Sequence, residues 1–203
     1  MKIFCVGRNY AEHAKELGNE VSDEPIIFIK PKSALLQSHT PFYYPEFTNE
    51  INYECELVLR ISKNGKYIQE KYAANYYNGI SVGIDFTARD IQNRLKEKSL
   101  PWEKAKAFDN SAAVGKFIDI TPQFNKKDIN FSFKLNKDVV QKANSAEMIF
   151  NFDSLIANIS TYFSVNIGDL SLTGTPQGVG ECVVGDELEA FIENQSLLKL
   201  LIK

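Results

Sequence analysis

Tyr53-Glu54-Cys55-Glu56-Leu57-Val58-Leu59-Arg60-Ile61 opens on alternating acids and continues as an apolar run, the mark of a β-strand. In a strand, Glu54, Glu56, Val58 and Arg60 share one face, and Tyr53, Cys55, Leu57, Leu59 and Ile61 the other. Similar short runs recur at residues 3–6, 26–29, 80–84, 131–135, 170–173, 188–192 and 197–202. Most are β-branched or aromatic-rich and end at Gly, Pro, Asn or Asp. Helical spacing is rarer. Residues 9–17 can make one short helix, and residues 87–98 set Ile91 and Leu95 four apart among charges. The clearest helix, over 153–163, aligns Leu155, Ile156, Ile159 and Phe163, with Asn151 or Asp153 available as a cap. Strands outnumber helices and do not alternate with them. The pattern predicts one α+β, mostly β domain over residues 1–203 and argues against a doubly wound parallel sheet.

Composition narrows the function. With 44% hydrophobic residues the chain can build a proper core, and with a formal net charge of −3 and no basic run it has no electrostatic footprint for nucleic acid. No run approaches the length of a membrane span. The apolar stretch at residues 3–7 is far too short for a signal-peptide core, so the cytoplasm is the expected compartment. The three cysteines, Cys5, Cys55 and Cys182, are far apart and read as reduced core residues. Only two histidines are present, His13 and His39, so a multi-histidine metal site is excluded and any metal must be held by oxygen. His39, in a Ser-His-Thr-Pro loop, reads as structural.

The acids of residues 53–61 lie roughly 7 Å apart at their Cα atoms on one strand face, close enough to converge on one hard cation. An isolated E-x-E is more often a solvated outer face. Asp85 closes a short strand just before a helix that Thr87 could cap; it is equally suited to capping or to ligation from a rigid element. Together Glu54, Glu56 and Asp85 would offer three hard anionic ligands, suited to Mg²⁺ or Mn²⁺. His13 and Glu16 are neighbours on a helix, so the carboxylate could orient a water-activating imidazole; a polar surface pair is the plainer alternative. Lys106 lies among Ala105, Ala107 and Phe108, a half-buried context in which an ammonium could face a developing oxyanion, although an exposed lysine is the default. LTGTPQGVG (172–180) can present backbone N–H groups and a hydroxyl to an anion, or form a plain turn; it lacks the GK[ST] of a nucleotide loop.

CVGRNYAEHAKELG, PIIFIKP, YECELVLRI, VGIDFTARDIQNRLKEKSLPWEKAKAFD and LTGTPQGVG occur in this order across nearly the whole chain. In them the chain resembles the fumarylacetoacetate hydrolase family, and within it the short acylpyruvase and oxaloacetate decarboxylase-like members. The resemblance implies a mixed β-roll or pseudo-barrel fold, a homodimer and one Mg²⁺ or Mn²⁺ per site. It places metal ligation on Glu54, Glu56 and Asp85, and the catalytic pair His13 and Glu16 in a mobile lid over residues 8–20. It assigns substrate contacts to Lys106, Arg89, Gln92 and Thr175, with Lys30 and Arg8 lining the pocket. One departure is visible. Members often carry histidines just before the E-x-E, where this chain has Asn52 and Tyr53.

The implied substrate is a small 2-oxo acid. Its keto and carboxylate oxygens can chelate one cation, which then stabilises the enolate released when the C3–C4 bond breaks. Hydrolysis of acylpyruvate-type 2,4-dioxo acids ranks first, with His13 and Glu16 activating water and Lys106 stabilising the anion. Oxaloacetate decarboxylation or keto–enol tautomerisation ranks second, and dienedioate isomerisation third. A non-catalytic module holding a structural calcium ion would use the three acids and leave His13 and Glu16 idle.

Overall fold

The computed structural model describes residues 1–16, 18, 22–121 and 123–203. Among them the chain forms β1 (Ile3–Gly7), α1 (Ala11–Glu16), β2 (Ile26–Lys30), β3 (Ile51–Tyr53), β4 (Cys55–Ile61), α2 (Glu70–Ala73), β5 (Tyr77–Asp85) and β6 (Thr87–Ala88). There follow α3 (Arg89–Glu97), α4 (Glu103–Lys106), β7 (Ala112–Val114), β8 (Ile118–Asp119), β9 (Asn130–Leu135) and β10 (Asp138–Asn144). The chain ends with α5 (Phe152–Tyr162), β11 (Leu170–Leu172), β12 (Gly180–Cys182), β13 (Glu187–Ile192) and β14 (Gln195–Leu201). The fold is mostly β, as expected, around a curled half-barrel sheet.

That sheet runs β2-β1-β11-β4-β5-β7, with β8 on β5; a second runs β10-β9-β13-β14 and a third β12-β3-β6. Only β1 and β11 pair in parallel among the named strands, so no doubly wound sheet forms. Strand β4 is buried on both faces. Cys55, Leu57, Leu59 and Ile61 enter the main core, while Val58 packs with Ile3, Cys5, Leu170 and Leu172 on the other side. Double-sided burial is why the stretch reads as an apolar run beyond its first four residues.

The expected single strand over 53–61 is interrupted at Glu54. Residues 51–53 pair with β6 and β12 in the three-stranded sheet, and residues 55–61 with β5 and β11 in the half-barrel. At the break the Cys55 N–H donates to the side chain of Gln141 (3.0 Å), so the backbone donor is satisfied without a strand neighbour. The chain can then pass from one sheet to the other, and the two acids stand at a sheet junction, not on an outer face.

Helix α5 has the expected cap: the Asn151 side chain accepts from Ser154 N at 3.0 Å. Leu155, Ile156 and Ile159 are fully buried beneath it, each stabilising by about 1.5–3 kcal/mol relative to exposure. Phe163 lies just past the helix, in extended backbone, and still packs on the core. Among the described residues no helix is long and apolar enough to cross a membrane.

Candidate active site and metal centre

Three strand ends meet at the site. Glu54 lies at the β3–β4 junction, Glu56 in β4 and Asp85 at the last position of β5, tied to the junction by Asp85 N donating to Glu54 O at 2.8 Å. All three side chains are buried, and one carboxylate oxygen from each lies within 4.8 Å of the others. The strand pairing and the turn from β5 into β6 bring Asp85 to the two glutamates, over about 30 residues of sequence.

Three cations face these acids. Lys106 Nζ donates to Glu54 Oε2 (2.8 Å), Asp85 Oδ2 (2.9 Å) and Thr87 Oγ1 (2.6 Å). Arg89 Nη2 lies 2.7 Å from Glu54 Oε1, and Lys30 Nζ 2.7 Å from Asp85 Oδ1. Glu56 has no ion pair among the described residues; Oε2 accepts from the backbone N–H of Gly174 at 2.6 Å. The electrostatics follow from this unequal sharing. Burial works to raise the Glu54 pKa, yet Lys106 and Arg89 outweigh it and hold the carboxyl well below the usual range. Burial, with Asp85 and Glu54 adding repulsion, pushes Glu56 well above that range. Burial opposes the Lys106 charge, but Asp85 and Glu54 prevail and raise its pKa.

The donor set fits a hard divalent cation. All three groups are carboxylates, the preferred chemistry for Mg²⁺ or Mn²⁺. Glu56 carries a charge penalty that the Gly174 N–H and the more distant Lys106 only partly offset. Asp85 Oδ1 is buried and close to Lys30 yet not aligned for a hydrogen bond, which leaves lone pairs available on a fixed oxygen.

Above the acids opens a cleft whose lining includes Arg8, His13, Glu54, Asp85, Arg89, Gln92, Lys106 and Thr175. His13 is buried, with Nδ1 3.3 Å from Glu16 Oε2, and Glu16 Oε1 accepts from Gly178 N at 3.0 Å. Burial lowers the His13 pKa, opposed in part by Glu54 and Glu16. Arg89 Nη1 donates to Gln92 Oε1 (2.6 Å). Thr175 Oγ1 donates to Cys55 O (2.8 Å) and accepts from Gln141 Nε2 (2.9 Å). Arg8 reaches the cleft from a backbone position with φ of 58°. The lid expected over residues 8–20 includes residues 17, 19 and 20, which lie outside the described residues.

Two expectations need correction. Lys30 does not line the cleft. It is fully buried behind Asp85, bound to the carbonyl of Lys106, to Ser111 O (2.9 Å) and to Ser111 Oγ (3.0 Å), because β2 turns it inward beneath the end of α4. Thr87 does not cap α3. Ala88 occupies the cap without a side-chain bond, and Thr87, in β6, holds its hydroxyl between Lys106 Nζ and Glu54 Oε1 (3.2 Å).

Several residues at the site carry no local signal. Gln141 clamps the break at Cys55 and the Thr175 loop, yet NKDVVQKAN reads as an exposed strand. Asn9 holds the same loop by donating to Thr173 O (2.8 Å). Phe28, Lys96 and Trp102 line the cleft; the spacing of Lys96 from Arg89 and Gln92 was the one available clue. Tyr53 packs 4.8 Å from Phe133 and against Gly180, where a Cβ would lie 2.6 Å from its hydroxyl. This packing uses the aromatic ring at one of the two positions where the resemblance leads to an expected histidine.

The family model described as fumarylacetoacetate (FAA) hydrolase C-terminal matches residues 2–202. An oxaloacetate tautomerase of Escherichia coli (strain K12) is 38% identical over 198 residues, covering 97% of this chain and 90% of that protein. A mitochondrial oxaloacetate decarboxylase of Dictyostelium discoideum is 42% identical over 195 residues, covering 94% and 88%. A fumarylpyruvate hydrolase of Pseudomonas aeruginosa, solved in complex with Mn²⁺ and pyruvate, superposes with a TM-score of 0.93 at 33% identity, over 100% of this chain and 89% of that one. The chain belongs to the fumarylacetoacetate hydrolase C-terminal family.

Proposed function

We propose that this protein is a divalent-cation-dependent enzyme of small 2-oxo acids that hydrolyses the C3–C4 bond of acylpyruvate-type 2,4-dioxo acids. The observation carrying this is the convergence of three carboxylates, Glu54, Glu56 and Asp85, at the base of a cleft lined by two of them and by a buried His13 paired with Glu16. Glu54, Glu56 and Asp85 would hold Mg²⁺ or Mn²⁺. When bound, the cation supplies Lewis acidity at the 2-oxo group.

The protein's own residues supply the rest. With Nδ1 engaged by Glu16, His13 is left with Nε2 as a base, and its lowered pKa keeps it neutral near pH 7. Nε2 takes a proton from water, whose oxygen attacks the distal acyl carbonyl. The C3–C4 bond then breaks, its electron pair forms the pyruvate enolate, and a proton returns to C3. Lys106 stabilises the developing anion, while Arg89 and Gln92 orient the substrate and Phe28 and Trp102 wall the site from solvent.

A second reading, tautomerisation or decarboxylation of oxaloacetate, draws support from the names of relatives 38% and 42% identical. Tautomerisation would use His13 to move the C3 proton; decarboxylation needs no water. An ultraviolet assay with acetylpyruvate, fumarylpyruvate and oxaloacetate, run with Mg²⁺, Mn²⁺ or chelator and with pyruvate measured separately, tests both. Metal-dependent loss of either dioxo acid with equal pyruvate supports hydrolysis. Turnover of oxaloacetate alone replaces it with decarboxylation if pyruvate forms, or tautomerisation if it does not.

A further inference from the structure

Helix α3 turns three polar side chains toward the cleft. Arg89, Gln92 and Lys96 follow at intervals of three and four, the spacing of one helix face. Their neighbours Asn93, Arg94, Glu97 and Lys98 are exposed. The first two are already engaged, Arg89 with Glu54 and both with each other. Lys96 is half-buried, and its ammonium forms no ion pair and no hydrogen bond among the described residues. Arg8 also lines the cleft and also lacks an ion pair among them.

An aromatic wall joins the two ends of the cleft. Lys106 Nζ lies 5.4 Å from the Phe28 ring centre, the Phe28 and Trp102 rings are 6.1 Å apart, and Lys96 Nζ lies 5.8 Å from the Trp102 ring. The wall thus has an ammonium at each end. Lys106 is saturated by acids; Lys96 is not. A half-buried ammonium beside other cations and without a carboxylate is unfavourable by itself. Burial, then Arg89 and Arg8, lower the Lys96 pKa accordingly.

We infer that Lys96 is a specificity-determining residue that receives a second carboxylate at the far end of the substrate, aided by Arg8, so that the enzyme selects 2-oxo acids with an anionic tail. This inference rests on the proposed function for the orientation of the substrate, with its 2-oxo acid head at the carboxylates. Oxaloacetate and acylpyruvates with a carboxylated acyl group share the required chemistry.

A binding experiment separates this inference from the reaction itself. Calorimetric titration of the Mn²⁺-loaded protein would compare 2-oxoglutarate with 2-oxopentanoate, and 2-oxoadipate with 2-oxohexanoate. The members of each pair have equal length and differ only in the tail group. Wild type is expected to prefer at least one diacid by about tenfold or more, the scale of one charge-assisted contact. Lys96→Met, which keeps the stem over Trp102, should erase the preference by weakening diacid binding alone, and Lys96→Arg should retain it. The inference is overturned if wild type shows no preference, if neither acid binds, or if Lys96→Met weakens both members of a pair equally. A preference that depends on Lys96 in a protein silent on every substrate of the ultraviolet assay would leave the subsite standing and sink the proposed reaction.

Discussion

Lys30 Nζ lies 2.7 Å from Asp85 Oδ1, and neither side chain is more than 1% exposed. The pair fixes a would-be metal ligand from behind, on the side away from the cleft. Lys30→Met keeps most of the stem but leaves Asp85 Oδ1 without its cation and the Ser111 carbonyl without this donor. Removing one partner of a buried pair costs about 3–5 kcal/mol. Urea unfolding in the presence of chelator should show a loss of that size; a change below about 0.5 kcal/mol, the scale of a surface substitution, would mean that the pair does not hold the site.

Glu56 is the acid with the least protein support, and its substitution should change sign with metal. Its carboxyl is raised well above the usual range by burial and by Asp85 and Glu54. For a raised carboxyl, stability declines as pH climbs above the unfolded-state value, because the folded state resists losing the proton. Glu56→Gln removes that penalty, so in chelator at pH 7 the variant should melt no lower than wild type. Wild type with Mn²⁺ at about 100 times its Kd should gain about 2.7 kcal/mol, and the variant little of it. A variant that melts lower in chelator, or keeps the full metal gain, would contradict this account.

His13→Ala should lower turnover by about 10²- to 10⁴-fold, the usual weight of a general base, while leaving Mn²⁺-induced stabilisation at the wild-type level. A parallel loss of metal binding would place His13 in the wrong role.

The same histidine sets a pH signature. Its pKa lies below the ordinary 6.5, first through burial and against the opposing pull of Glu54 and Glu16. In wild type kcat/KM should therefore fall only as pH drops below 6.5. Stability should also decline from 6.5 downward, where the unfolded chain binds the extra proton, and level off below the folded pKa. Glu16→Gln removes an influence that raises the pKa, so the acid limb of the rate profile should move to lower pH. A limb that moves upward would exclude the Glu16–His13 coupling.

Gly174 has φ of 104°, and a Cβ there would lie 2.6 Å from the Asn9 Cβ. Its N–H is also, among the described residues, the one hydrogen-bond donor to the Glu56 side chain. Gly174→Ala should lower stability by more than about 1 kcal/mol and weaken Mn²⁺ affinity through Glu56, both measurable by thermal shift against metal concentration. Unchanged affinity would separate the loop from the metal centre.

The chemistry-bearing residues were legible because their signals are local. The E-x-E of residues 54–56, Asp85 at a strand end, the short H-x-x-E helix and the Asn151 cap all follow from periods of two or 3.6 residues and from side-chain chemistry. The resemblance then drew these scattered pieces into one site. Local pattern misled where a distant partner intervened. Residues 53–61 read as one strand, but Gln141, 86 residues beyond Cys55, takes the backbone donor at the break. Thr87 reads as a helix cap, but Lys106 and Glu54 claim its hydroxyl.

By itself the sequence determined the mostly β class and singled out Glu54, Glu56 and Asp85 as the acids that could meet. Hydrophobic periodicity and residue type act between near neighbours and need no knowledge of the fold. Only the tertiary structure decided which cation faces which acid. It placed Lys30 behind Asp85 across 55 residues of sequence, set Gly174 against Glu56 across 118, and left Lys96 at the far end of the cleft without an acid among the described residues. Coulombic energy and desolvation depend on distance and burial in space, which chain order does not encode.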